Sequence, residues 1–146
     1  MGLDMYLEAK KHYYDNDKIA KQLRKVAGIV FDSGNLNYTK LSIEVGYWRK
    51  ANQIHKWFVA NVQDGKDDCE DYIVSRSQLK ELKKLCQEVL DNHEKANEIL
   101  PTKDGFFFGG TDYDEYYFDD LSNTIKIIDK VLELHESWDI YYDNSW

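Results

Sequence analysis

The apolar residues of this chain change their spacing partway along it, and that change limits what the chain can fold into. Between residues 38 and 47, Leu41, Ile43 and Val45 alternate with polar neighbours, which is the two-residue repeat of a half-buried strand. From residue 48 to residue 62 the spacing becomes three to four. Trp48, Ala51, His55, Phe58 and Val62 then share one helical face. A second helix is predicted from Ser75, where Gln78 three residues on completes a capping box. Leu79, Leu82, Leu85, Cys86, Val89 and Leu90 supply its apolar stripe, and Asn92 closes it. A third is predicted over 114–136, with Tyr117, Leu121, Ile125, Ile128, Leu132 and His135 in register.

The remaining segments carry weaker signals. Residues 3–14 read as a strand. Residues 17–27 read as a helix with Ile19, Leu23 and Val26 at helical spacing and a cap at Asp15, Asn16 or Asp17. Ser33-Gly34-Asn35 is a turn, and 95–100 is a short helical piece before Pro101, the only proline. Residues 102–110 form a loop, and 138–142 form a last short strand beside the first two. Strands and helices are thus interleaved within 146 residues, enough for one hydrophobic core and too few for two ordinary domains. The expected fold is α+β, a single domain over 1–146, with three to four helices packed on a small antiparallel sheet.

Charge narrows the partners. The net charge of −8 is unevenly distributed: residues 1–61 hold ten Lys/Arg against six Asp/Glu, and residues 62–146 hold nine against twenty-one. A surface that acidic repels nucleic-acid backbones and anionic headgroups and attracts a basic groove on another protein. Direct nucleic-acid binding and membrane binding are therefore not expected. No apolar run approaches the ~20 residues of a spanning helix, and the first residues lack the basic and apolar regions of a signal peptide. Cys69 and Cys86 are then expected as free thiols in a reducing cytoplasm.

Catalytic templates are mostly missing. The chain has no phosphate-binding glycine loop ahead of a helix, no G-x-S-x-G elbow and no H-E-x-x-H. Cys69 with His55 makes a nucleophile pair only on paper. The same residues suggest a metal site. His55, Cys69 and Cys86, with Asp68 or Asp67, offer a mixed set of donors suited to zinc, although no C-x-x-C pair is present. The plain alternative places His55 and Cys86 in the core.

Residues 104–120 are the most unusual stretch. Asp104, Asp112, Asp114, Glu115, Asp119 and Asp120 occur there without any Lys or Arg, interleaved with Phe106, Phe107, Phe108, Tyr113, Tyr116, Tyr117 and Phe118. Carboxylates on an aromatic scaffold can imitate phosphates and compete for a Lys/Arg groove. Acids also favour a helix N-terminus, and aromatics fill cores, so both uses fit this stretch. A third feature is Tyr47-Trp48-Arg49-Lys50, which together with 106–108 could stack on and neutralise a nucleotide.

Three motifs carry a resemblance. They are Met1-Gly2-Leu3-Asp4-Met5-Tyr6-Leu7; the run Glu44-Val45-Gly46-Tyr47-Trp48-Arg49-Lys50-Ala51-Asn52-Gln53-Ile54-His55-Lys56-Trp57-Phe58, continued by Gln63-Asp64-Gly65-Lys66-Asp67-Asp68-Cys69; and Leu100-Pro101-Thr102 with Gly105-Phe106-Phe107-Phe108-Gly109 and Tyr113-Asp114-Glu115. Together the chain resembles a family of small bacteriophage and prophage proteins, over most of its length except 10–37 and the C-terminal tail. The resemblance implies a phage origin and action in the cytoplasm of an infected bacterium. By analogy with small acidic phage proteins, it implies an anti-CRISPR inhibitor that binds a type II RNA-guided effector nuclease and blocks target DNA loading. The expected partner is a host defence protein with a basic groove, bound through Asp104, Asp112, Asp114, Glu115, Asp119 and Asp120. A sponge for a nucleotide immune signal and a small metal-dependent enzyme are the other two readings.

Overall fold

A computed structural model describes residues 2–29 and 38–146. Its four strands form one antiparallel sheet in the order β2-β1-β4-β3, and its helices supply the rest of the core. Strand β1 (Asp4–Tyr14) pairs along its full length with β2 (Tyr38–Arg49), and on its other side with β4 (Asp139–Ser145). The two-residue β3 (Tyr72–Ile73) extends the sheet beyond β4. Met5, Leu7 and Ala9 alternate into the core, while Asp4, Tyr6 and Glu8 point to the opposite face. That opposite face is lightly polar, with Lys10 bridging Glu8 and Asp71 over the ring of Tyr141.

Helix α1 (Lys18–Val26) starts where the sequence suggests, and Asp17 accepts a hydrogen bond from Ile19 N. Helix α2 (Asn52–Asn61) sits at the centre of the molecule, with residues on all sides buried. Phe58 stacks on Tyr142 of β4 with ring centres 3.9 Å apart. Helix α3 (Arg76–Asp91) carries the expected capping box between Ser75 and Gln78 and buries Leu79, Leu82, Cys86 and Val89. A 3-10 turn at His93–Lys95 leads into α4 (Ala96–Ile99). Helix α5 (Glu115–Leu132) packs against α3 and β2. Gly46 permits that contact, since a Cβ there would lie 2.5 Å from the Ile127 side chain. The fold is α+β and forms a single domain with an antiparallel sheet, as the periodicity implied.

Three boundaries differ from the sequence expectation. The first helix of the central region begins at Asn52 rather than residue 48. Trp48 and Arg49 remain in β2, paired with Met5 and Asp4, and the Trp48 indole donates to Thr124 Oγ1 at 2.8 Å. Lys50, with φ of 60°, makes the break between strand and helix. Helix α5 stops at Leu132, where the chain closes with the i→i+3 bonds Glu133 N to Lys130 O and Leu134 N to Val131 O. The Arg76 guanidinium caps this end by donating to the carbonyls of Val131 and His135. The last strand runs to Ser145 and lies on the far side of β1 from β2. Strand β3 lies in the segment between the first two predicted helices, where the sequence gives no strand signal, and the expected turn at 33–35 falls outside the described residues.

Candidate functional site

The site with the most converging features is a cleft at the N-terminal end of α5. Its floor depends on Asn52, which is 2% exposed at the start of α2. The Asn52 amide donates to the carbonyls of Phe108 and Gly110 at 3.0 and 2.8 Å, and its Oδ1 accepts from Lys103 N at 2.9 Å. One side chain therefore fixes both arms of the 102–110 loop. Leu3 N adds a hydrogen bond to the Phe107 carbonyl at 3.0 Å. Gly109, with φ of 87°, lies where a Cβ would come within 3.1 Å of Lys50 Cβ, so loop and strand end meet closely.

Between that loop and α5 the cleft has a volume of about 340 Å³. Asp112, Asp114, Asp119 and Asp120 line it, and Arg49 and Lys50 form its opposite lip. Asp114 is also the α5 N-cap, accepting from Tyr117 N at 3.1 Å. Asp120 lies deepest. Burial raises its carboxyl to about 6, against a contact of 3.3 Å from the Gln53 amide, and the neighbouring carboxylates of Asp119 and Asp114 push in the same direction as burial. Tyr116, on the rim, is 80% exposed, and Phe106 at the tip of the loop is 95% exposed. Tyr117 and Phe108 face inward instead, with the Tyr117 hydroxyl donating to the Leu100 carbonyl at 2.7 Å. The acidic, aromatic stretch thus serves two purposes, part core and cap, part surface. Asp104 and Glu115 are exposed but do not line the cleft.

The other sequence candidates are distributed differently. His55 is fully buried on α2. Its Nδ1 lies 2.7 Å from the Tyr142 hydroxyl and its Nε2 lies 2.9 Å from Asp67 Oδ1. Lys103 pairs with the other oxygen of Asp67. Burial depresses the His55 pKa more than Asp67 raises it, which keeps the ring neutral, with Nε2 donating to Asp67 and Nδ1 accepting from Tyr142. Burial opposes ionisation of Asp67, but Lys103 and His55 outweigh it and hold the carboxyl below its usual range. To ligate zinc, His55 would have to release one of these partners. Cys69 is exposed, and no hydrogen bond joins it to His55 among the described residues. Cys86 is buried between α3 and α5, and burial pushes its thiol up to about 12. Asp68 accepts from the Tyr72 hydroxyl at 3.0 Å. Among the described residues no group of three or more His, Cys, Asp or Glu side chains is gathered to hold a metal.

The aromatic strand end is divided as well. Trp48 is in the core, and Tyr47 lies on the far face of the sheet, donating to Asp4 Oδ1 at 2.6 Å. Only Arg49 and Lys50 of that segment reach the cleft. Sequence reasoning missed the positioning role of Asn52 and Gln53, because an amide at a helix start gives no signal until the loop it holds is known. It also missed the Tyr142–His55–Asp67–Lys103 chain, whose members are far apart in sequence.

No family model, curated protein or solved structure matches this chain. The class of protein is therefore defined by its own geometry: an α+β domain with a carboxylate-lined, aromatic-rimmed cleft. No helix among the described residues is long and apolar enough to cross a membrane.

Proposed function

We propose that this chain is a phage-encoded binding protein that inhibits a host defence nuclease by occupying its basic nucleic-acid groove. One observation carries the reading: Asp112, Asp114, Asp119 and Asp120 converge on a single cleft whose rim holds the exposed ring of Tyr116. Carboxylates at the mouth of a rigid cleft take the place of phosphates, and the exposed rings take the place of bases against the partner's apolar or guanidinium surfaces. The acid excess of residues 62–146 would steer the approach, and salt would slow it. The partner in this proposal is the RNA-guided effector of a type II system, acting in the cytoplasm of the infected bacterium, and the consequence is exclusion of target DNA. Arg49 and Lys50 line the same cleft, two cations against four carboxylates, so the acids stay in excess there. The same carboxylates would repel a nucleotide, so the sponge reading finds less support at this cleft.

The test is a target-DNA cleavage assay with guide-loaded effector and increasing amounts of this protein. Asp112 and Asp119 are the residues to reverse, because Asp114 also caps α5 and its loss would confuse folding with binding. Asp112→Lys with Asp119→Lys should raise the half-inhibitory concentration by about tenfold or more, as loss of rim charge contacts does. Their melting temperature should match that of the parent. Inhibition unchanged by the double reversal, or no binding to the effector at low salt, would count against the reading.

A further inference from the structure

The sheet ends on one side at β2, and no strand among the described residues pairs with its outer edge. Such an edge is normally blunted by charge, proline or a covering segment. Here it carries Ile43, 45% exposed, between the exposed residues Ser42 and Glu44, with Lys40 three residues before Ile43. Lys40 and Glu44 make no ion pair among the described residues. Glu44 in addition stands directly opposite Glu8 across the β1–β2 ladder, a like-charge juxtaposition that is unfavourable.

We propose that this edge is a homodimer interface in which two copies pair their β2 strands antiparallel about a twofold axis through Ser42. That register is self-complementary at each position. Ser42 faces Ser42 of the second copy, Leu41 faces Ile43, and Lys40 faces Glu44, with each pairing repeated by symmetry. Each pair joins positions of the same parity. Side chains therefore meet on the same face, and outward-pointing backbone groups meet outward-pointing ones. Leu41 and Ile43 cover one another on the core side, extending the apolar layer, while Lys40 supplies the cation that Glu44 lacks; Glu8 already pairs with Lys10. A shift of one residue in either direction breaks this match, since centring on Leu41 sets Lys40 against Ser42, and centring on Ile43 sets Glu44 against Ser42. The ladder is bounded by the β2 bulge at Val45, where Leu7 pairs with Gly46 and Glu8 with Glu44, leaving Val45 unpaired. This inference stands apart from the cleft and does not depend on its function.

The test is sedimentation of the full chain over micromolar concentrations, with charge reversal to probe the register. The parent should reach twice its mass of 17.3 kDa. Lys40→Glu alone and Glu44→Lys alone each set like charges together at two symmetric places, and each should weaken dimerisation by about tenfold. The combined variant Lys40→Glu/Glu44→Lys should restore it. A cross-link gives an independent reading in a Cys69→Ser background. Ser42→Cys should form an intermolecular disulfide on mild oxidation. Lys40→Cys should not, because its own counterpart would lie about 13 Å away along the strand. A monomer at every concentration, a dimer indifferent to the single reversals, failure of the combined variant to restore it, or equal cross-linking from both positions would each overturn the proposal.

Discussion

Asp120 is half-buried and His55 fully buried, and these two ionisable groups respond to pH with opposite signs. The folded pKa of Asp120, about 6, lies above the ordinary 3.8. Its contribution to stability is therefore present below 3.8, is lost as the pH rises through about 6, and is fully absent at pH 7. Asp120→Asn should then raise the melting temperature at pH 7, by the equivalent of about 1 kcal/mol after allowing for partial solvent contact. The gain should disappear in scans at pH 3.5. His55 behaves the other way. Its folded pKa lies below the ordinary 6.5, so its contribution is complete above 6.5 and falls as the pH drops below that value. Asp67 acts in the same direction, but only from 3.8 downward, so the two windows are separable. Tyr142→Phe would leave His55 Nδ1 without its donor at a fully buried position and should cost about 1–3 kcal/mol in urea unfolding at pH 7.5. These partners could not be read from the sequence. His55 fits a helical face equally well as a core residue or a ligand, and Asp67, Lys103 and Tyr142 reach it only through folding.

Helix and strand ends show where local signals prevail and where they do not. The Ser75–Gln78 capping box starts α3 where the sequence places it, since the motif is satisfied within four residues. Ser75→Ala should cost about 1 kcal/mol by the same measurement. The start of α2 shows the reverse. Trp48 and Ala51 have helical spacing, yet pairing of Trp48 with Met5 and its indole bond to Thr124 keep Trp48 in β2. Periodicity cannot separate these outcomes, because three-residue spacing at a junction fits the end of a strand and the start of a helix equally well. The β2–α5 contact gives a further element-level prediction. Gly46→Ala should destabilise by about 1–3 kcal/mol through collision with Ile127. Combining it with Ile127→Ala, which removes the Cγ2 that the new Cβ would meet, should cost less than the sum of the two single changes in a double-mutant cycle.

The whole molecule depends on α2 being covered on every side: by β4 through the Phe58–Tyr142 stack, by β2 through Trp48, and by the 102–110 loop through Asn52. That central placement forms the cleft, because the loop held by Asn52 and the α5 start held by Gln53 are brought face to face. Asn52→Ala would leave the carbonyls of Phe108 and Gly110 without their donor. It should loosen the loop more than it lowers global stability, with faster amide exchange across 103–110 as the readout. The cleft also brings together two features that read separately in the sequence, the basic Arg49-Lys50 pair and the acidic 112–120 run.

Period, capping and composition already determined that the chain is α+β, that it has one core, that its C-terminal part is strongly acidic, and that the acidic, aromatic stretch lies at a helix start. Those properties are local or additive, so they survive without knowledge of contacts. The strand order β2-β1-β4-β3, the Asn52 anchor, the partial burial of Asp120 and the division of six candidate acids into four that converge and two that do not were decided by the tertiary structure. Each depends on residues distant in sequence meeting in space, and a buried environment exists only once the surrounding elements have packed.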